Sequence, residues 1–233
     1  MHCDGVSKPH SRISRKHAFD SRVRGAWEVQ GERHYGRQPE NPRFPPFWAV
    51  QKLNQKLGSN LDQTIGVIMI FTIGYSTRTL PEFLHELVRR GITQLWDVRS
   101  SPWSRNAPFN AAQIIQWADR GGILYRQCGD VLGGRAEISL DDPTYITALE
   151  TLLDAACREP LAIMCSEGHP EQCHRTWDVG ASLLVRYGVM VRSILRDGTE
   201  EDVTETLRRV PANRIAPEIR VKLGAQPDLF FGA

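Results

Sequence analysis

Short apolar runs alternate with amphipathic segments between residues 67 and 209, and this alternation predicts the fold class. The apolar runs are rich in β-branched residues and are typical of buried strands, which we predict over 67–73, 92–98, 123–128, 161–165 and 189–195. Apolar residues recur at helical spacing between them and predict helices over 80–90, 111–120, 143–156, 174–187 and 200–209. Such alternation with short connections predicts a three-layer α/β domain, with a mostly parallel sheet of about five strands and helices on both faces.

Capping residues stand at the predicted starts of three helices. Thr79 and Glu82 have the spacing of a capping box. Asp142 is a suitable N-cap with Pro143 at the first helical position, and Asn110 is the expected N-cap of the helix over 111–120. These signals support the helix boundaries independently of the apolar pattern.

The segments on either side of the domain lack a regular pattern. Residues 1–66 are rich in Arg, His, Gly and Pro, and residues 1–60 carry eleven Lys/Arg against five Asp/Glu. We interpret 1–66 as a disordered basic, proline-rich extension or as the product of a misassigned start codon, because Met69 directly precedes the folded pattern. Residues 210–233 are predicted to be an extended tail.

Composition excludes several classes of protein. The net charge of +2 does not fit a strongly basic nucleic-acid coat, and five cysteines without regular spacing do not form a disulfide framework. No apolar run approaches the roughly 18 residues of a membrane helix, and the N-terminus lacks the apolar region of a signal peptide. We therefore expect a cytoplasmic protein that has no membrane partner.

Four loops are expected to meet at one edge of the predicted sheet. In an open parallel sheet, sites form beyond the carboxyl ends of the strands. This rule collects residues 74–78, 97–104, 133–135 and 165–175. The candidate site is therefore placed by the strand predictions alone.

The loop over 165–175 concentrates reactive side chains. Either Cys165 or Cys173 is expected to be a nucleophile or a redox thiol, and Cys173 stands at a helix N-terminus, where a thiolate is favoured. His174 would be the acid or base, and Glu167 would orient the histidine or act as a base. These residue types predict a cysteine-dependent hydrolase or transferase, or a redox enzyme.

Arginine residues near these thiols suggest an anionic substrate. Arg99 and Arg175 are predicted to hold an anion bidentately, which favours a nucleotide or a nucleic-acid component as substrate. The same loops supply further anion-binding candidates, namely Ser76, Gly133, Gly134 and Arg135. They also supply supporting residues, namely Gly74, Tyr75, Asp97, Ser100 and Ser104.

Structural roles are the main alternative to these assignments. Cys165 at a strand end has the position of a small buried hydrophobic residue, and the two arginines could pair with Asp97 and Glu167 in a structural network. The spacing Cys-x3-His-x3-Cys-His differs from that of zinc knuckles, and the residue six after Cys165 is not the arginine of a phosphatase loop. No dinucleotide or nucleoside-triphosphate motif is present, so we predict neither a metal nor a cofactor.

Four motifs in the same order resemble domain-of-unknown-function family 488. They are Thr72-Ile73-Gly74-Tyr75-Ser76, Asp97-Val98-Arg99-Ser100 with Pro102 and Ser104, Leu132-Gly133-Gly134, and Cys165-x-Glu167 with Cys173-His174-Arg175. The resemblance spans about residues 69–209 and implies a cytoplasmic bacterial or archaeal α/β domain, without an established reaction. Members of that family begin near the Thr-Ile-Gly stretch, which supports Met69 as the start.

The C-terminal tail contains a short pattern of its own. Gln226, Leu229 and Phe230 are similar to the peptide by which bacterial DNA-processing proteins bind the replication sliding clamp. This pattern supports a rival function, that of a non-catalytic adaptor associated with nucleic acid or with the clamp. On that interpretation, the cysteines are structural and the tail and basic extension bind the partners.

Overall fold

An open, mostly parallel sheet forms the centre of the domain. The structure is a computed structural model that describes residues 68–136 and 138–224. The strands of this part are β1 (Ile70–Gly74), β2 (Gln94–Asp97), β3 (Leu124–Gln127), β4 (Leu161–Cys165), β5 (Val191–Ile194) and β6 (Glu200–Asp202). They lie in the order β3-β2-β4-β1-β5-β6, and only the β5–β6 pair is antiparallel. The predicted parallel α/β sheet is confirmed, with β6 as an additional edge strand.

Helices cover both faces of this sheet. They are α1 (Leu80–Arg89), α2 (Ala111–Arg120), α3 (Pro143–Ala156), α4 (Ala181–Tyr187), α5 (Val203–Arg209) and α6 (Pro217–Gly224). Side chains of β4 alternate between the two faces of the sheet and so enter two separate cores. Ala162 and Met164 pack with α1 and α2, whereas Ile163 and Cys165 pack with the other helices. The three-layer architecture is therefore confirmed. Within the described ranges, no helix combines the length and apolar character needed to cross a membrane.

All three predicted N-cap residues stand at helix starts, and two of them cap the helix through their side chains. Thr79 and Glu82 form a reciprocal capping box, and Oδ1 of Asp142 accepts a hydrogen bond from Thr144 N–H at 2.7 Å. Asn110 is the N-cap residue as predicted, but its side chain makes no capping hydrogen bond, because its Oδ1 instead accepts the backbone N–H of Ser104 at 2.7 Å. The side chain of Asn110 therefore holds the preceding loop, while its carbonyl oxygen accepts the first hydrogen bonds of the helix.

The chain beyond residue 209 is not extended throughout. Residues 217–224 form α6, which begins at Pro217, and Ile215 and Ile219 are buried in the same core as α4. Because a proline is tolerated at the first turn of a helix, the prolines of this segment do not exclude a helix. The predicted extended tail is wrong for 217–224. Residues 1–66 and the pattern at 226–230 lie outside the described residues.

The chain path gives the loop that follows β4 a special position at the edge of the sheet. The chain leaves β1 and β2 toward α1 and α2, but it leaves β4 toward α4 on the opposite face. Since β4 lies between β1 and β2, the loop that follows Cys165 is flanked by two loops that turn the other way. This is the topological switch point at which open α/β sheets bind ligands.

Candidate functional site

Two thiols and one imidazole meet beyond the carboxyl end of β4. Cys165 is the last residue of β4, and Cys173 and His174 lie just before a stretch of π-helix over Arg175–Gly180. Nδ1 of His174 lies 3.9 Å from Sγ of Cys165 and 3.8 Å from Sγ of Cys173. All three donor atoms lie within 4.8 Å of one another. The structure therefore brings together three of the four predicted catalytic residues.

The orientation of the imidazole is fixed from two sides. Nε2 of His174 lies 3.0 Å from the carbonyl oxygen of Val98, and because a carbonyl oxygen only accepts hydrogen bonds, Nε2 carries a proton. Gly134 packs against the ring so closely that a Cβ there would lie 2.7 Å from Cγ and 2.9 Å from Nδ1 of His174. The nitrogen that faces the thiols is thus Nδ1.

This arrangement shifts the pKa values of the two cysteines in opposite directions. The hydrogen bond from Cys173, together with the hydrogen bond and charge of His174, lowers the pKa of Cys165 despite its burial. The same bond to Cys165, together with burial, raises the pKa of Cys173. Burial lowers the pKa of His174, but the hydrogen bond and charge of Cys165 raise it above the ordinary value. These opposite directions favour Cys165 over Cys173 as the thiolate, a choice that the sequence alone left open.

Arg175 is a structural residue of the loop. Its side chain is fully buried, at 0% exposure, and it donates from Nη1 to the carbonyl oxygen of Glu167 and from Nη2 to that of Gly168, at 3.3 Å for the latter. The predicted role as an anion clamp is therefore corrected. The guanidinium instead satisfies buried backbone carbonyls and holds the loop after Cys165 in place.

Arg99 is also engaged inside the fold. It binds Asp97 through two nitrogen atoms, with Nε 2.8 Å from Oδ1 and Nη2 2.6 Å from Oδ2. Its Nη1 donates to Tyr75 Oη at 3.2 Å and to the Phe109 carbonyl oxygen at 2.8 Å, and Tyr125 adds a hydrogen bond of 2.6 Å to Asp97. The role of Arg99 as an anion clamp is corrected to that of a buried ion pair, which was the structural alternative.

Glu167 does not orient His174, since the carbonyl of Val98 does so. The carboxylate Oε1 of Glu167 accepts the backbone N–H of His169 at 3.3 Å, and its carbonyl oxygen accepts from Arg175. A Cβ at Gly74 would overlap this carbonyl oxygen, so the close approach of the β1 loop requires glycine there. The predicted role of Glu167 in orienting His174 is therefore wrong, while its role as a base stays a prediction.

The remaining predicted residues hold the surrounding loops together. The exposed Ser76 donates its backbone N–H to the Ser166 carbonyl oxygen at 3.0 Å. Ser100 accepts the backbone N–H of the exposed Arg135 on its Oγ at 3.0 Å, which places Gly133 and Gly134 beside the site. Ser104 lies in a turn, where its Oγ accepts the N–H of Asn106 at 3.0 Å. These contacts show how the loops around the site are held together. Anion binding by Ser76 and Arg135 stays a prediction.

The same three donors have the composition of a metal site. Cys165, Cys173 and His174 could supply three ligands to Zn²⁺ and leave a fourth position open. His169, the fourth residue in the spacing considered from the sequence, is outside this group, and its side chain is 60% exposed. The separations of 3.8 and 3.9 Å are also those of hydrogen bonds that involve sulfur.

Asp178 is a residue that the sequence reasoning missed. Burial raises its pKa to about 6, and the positive charge of His174 lowers it. In turn, the carboxylate of Asp178 helps to raise the pKa of His174. The signal in the sequence was the spacing of four residues between His174 and Asp178, because residues four apart in a helix lie on the same face.

A comparison with protein families matches the part of the chain that contains this site. Residues 79–177 match the family model described as Domain of unknown function DUF488. The resemblance to this family is therefore confirmed for residues 79–177. The match includes Cys165, Cys173 and His174 and leaves out β1. Neither the curated proteins nor the solved structures yield a match. The family description names no reaction, so the function has to be inferred from the site.

Proposed function

We propose that this DUF488 domain is a cysteine-dependent enzyme in which Cys165 is a nucleophilic thiolate. One observation carries the proposal: Nδ1 of His174 faces the sulfur atoms of Cys165 and Cys173 at 3.9 and 3.8 Å. A thiolate rather than a thiol is the reactive form of cysteine, and an adjacent imidazolium stabilises it.

Each member of the cluster has a separate part in the chemistry. Cys165 attacks an electrophilic atom, and His174 gives a proton to the group that leaves. Cys173, which stays protonated, donates its S–H to the thiolate. The position of Cys165 at the end of β4 supports this assignment, because the rigid sheet holds the nucleophile while the loops form the walls.

The proposal is confined to a small electrophilic substrate. The choice of a nucleotide or nucleic-acid component depended largely on Arg99 and Arg175, and both guanidinium groups are engaged inside the fold. Cys165 is only 5% exposed, and its sulfur lies 3.9 Å from Oγ of the exposed Ser166. Such burial favours a substrate whose reacting atom is small and unhindered.

Selective alkylation tests this proposal. The full chain is treated with less than one equivalent of iodoacetamide at about pH 6, where an ordinary thiol is almost fully protonated, and the label is located by mass spectrometry. We expect the label on Cys165 and expect it to disappear in Cys165→Ser. Cys157→Ser is the matched control and should label like the native chain, because burial raises the pKa of Cys157. Label spread evenly over the cysteines would contradict the proposal.

A further inference from the structure

We propose that the site reduces small hydroperoxides, with Cys165 as the sulfur that is oxidised and Cys173 as the sulfur that closes a disulfide with it. This inference rests on the proposed nucleophilic role of Cys165. It adds the class of substrate and assigns a chemical role to the second cysteine.

The separation of the two sulfur atoms supports disulfide formation. Both Sγ atoms lie within 4.8 Å of each other. A disulfide bond is about 2 Å long, so the atoms need to approach by less than about 3 Å. Cys165 is held at the end of β4, whereas Cys173 lies in an extended conformation between a short 3₁₀ helix and the π-helix. Formation of the disulfide therefore requires Cys173 and its loop to move toward Cys165.

Burial of both sulfur atoms limits the size of the oxidant. Cys165 is 5% exposed and Cys173 is 3% exposed. A protein disulfide cannot bring its sulfur atoms to such a position without opening the loop that Arg175 holds. A hydroperoxide presents a terminal oxygen atom that is much smaller, and the sulfur of Cys165 lies 3.9 Å from Oγ of the exposed Ser166. The geometry thus favours a hydroperoxide over a larger disulfide substrate.

The first step is attack of the Cys165 thiolate on the terminal oxygen of the hydroperoxide. A sulfur–oxygen bond forms, the oxygen–oxygen bond breaks, and the alkoxide that leaves takes the proton from Nδ1 of His174. Cys165 is then a sulfenic acid, so its sulfur is oxidised while the peroxide is reduced to an alcohol. The sulfur gives up two electrons in this step.

The second step closes the disulfide. His174, now neutral at Nδ1, accepts the proton of Cys173, and the resulting thiolate attacks the sulfur of Cys165. The sulfur–sulfur bond forms, the sulfur–oxygen bond breaks, and the hydroxide that leaves takes the proton from His174 as water. The sum converts two thiols and one hydroperoxide into one disulfide, one alcohol and one water. An external thiol returns the pair to the reduced state by exchange.

Two other cysteines serve as internal controls. Burial raises the pKa of Cys128 to about 12 and also raises the pKa of Cys157. Both residues pack at the edge of the apolar core rather than in the thiol–imidazole cluster. They should therefore stay reduced while Cys165 and Cys173 react.

Mass spectrometry after a brief treatment with one equivalent of hydrogen peroxide tests the inference. The reduced full chain, treated first with a chelator and checked for metal, is oxidised and its free thiols are then alkylated. We expect loss of two hydrogen atoms from the intact mass, a Cys165–Cys173 cross-linked peptide, and reversal by dithiothreitol. In Cys173→Ser, the disulfide is lost and a dimedone adduct appears on Cys165. Cys157→Ser should behave like the native chain.

Two results would overturn the inference. One is oxidation of Cys165 to sulfinic acid at the same rate in the native chain and in Cys173→Ser, with no cross-linked peptide. The other is one tightly held equivalent of zinc that protects both thiols. If Cys165 is still selectively alkylated at low pH while the disulfide does not form, the nucleophile proposal stands and only the hydroperoxide inference fails.

Discussion

The backbone carbonyl oxygen of Val98 lies 3.0 Å from Nε2 of His174 and thereby turns Nδ1 toward two thiols. This relationship depends on the strand order, because Val98 directly follows β2 and β2 is the neighbour of β4, which ends at Cys165. A backbone acceptor cannot be removed by changing a side chain. The sheet itself therefore fixes the orientation on which the thiolate depends.

Replacing His174 should raise the pKa of Cys165. His174→Ala removes a hydrogen bond and a positive charge that both lower that pKa. We expect the thiolate to form near the ordinary value of about 8.5, as read from far-ultraviolet thiolate absorbance against pH. His169→Ala is the matched control, because that side chain is 60% exposed and should leave the titration unchanged. An unchanged titration in His174→Ala would remove the histidine from the account.

Adding a methyl group at Gly134 should disturb the site while preserving the fold. In Gly134→Ala, the new Cβ would lie within 3.0 Å of three atoms of the His174 side chain, so the ring must move. We expect alkylation of Cys165 at low pH to slow by about tenfold, which corresponds to one pKa unit. Gly224→Ala, where a Cβ meets nothing within 4 Å, should alkylate normally. Equal rates in both variants would show that the ring position is unimportant.

Removing the Arg175 side chain should destabilise the domain. Arg175→Ala leaves the buried carbonyl groups of Glu167 and Gly168 without their donors and creates a cavity. We expect the free energy of unfolding, measured with urea, to fall by about 2–4 kcal/mol. Arg135→Ala changes an exposed arginine in a neighbouring loop and should cost less than about 0.5 kcal/mol. A similarly small effect in Arg175→Ala would favour a ligand-binding role.

The ion pair of Asp97 and Arg99 should also contribute to stability. Asp97→Ala leaves a buried guanidinium without its carboxylate and removes the partner of Tyr125. We expect a loss of about 3–5 kcal/mol in the free energy of unfolding. Asp130→Ala, at an exposed carboxylate, is the comparison and should have little effect. Native stability in Asp97→Ala would mean that this network is not structural.

The C-terminal pattern predicts binding to a sliding clamp. Leu229→Ala combined with Phe230→Ala removes the apolar side chains that would enter a hydrophobic groove, so we expect clamp binding by the full chain to be lost in calorimetry. Asp228→Ala lies in the same segment but outside the pattern and should bind like the native chain. Failure of the native chain to bind, or equal affinity in all three proteins, would eliminate this partner.

The sequence predicted the layers of the fold and the edge at which the site forms. Apolar runs such as 161–165 and the helical stripes could be read locally, and parallel strands bring their ends together whatever their order. The short β6 was missed because its three residues, Glu200 to Asp202, carry no apolar signal. The helix α6 was missed because its prolines suggested an extended chain.

The roles within the site could not be read from residue types. An arginine near a thiol predicts an anion clamp, but only the structure shows that Arg99 is buried in an ion pair and that Arg175 is buried against backbone carbonyl groups. Similarly, the helix N-terminus favoured Cys173 as the thiolate, whereas the hydrogen bond between the two cysteines lowers the pKa of Cys165 and raises that of Cys173. Long-range contacts decide these points, since Val98 and His174 are far apart along the chain.

The most direct test of the central claim is the pH titration of the Cys165 thiolate. Absorbance of the thiolate is recorded for the native chain and for Cys165→Ser, and the difference is assigned to Cys165, with the metal content measured beforehand. We predict that this thiolate forms at a pH well below the ordinary thiol value of about 8.5, because Cys173 and His174 stabilise it. A difference that appears only at or above that value would contradict the nucleophilic role of Cys165.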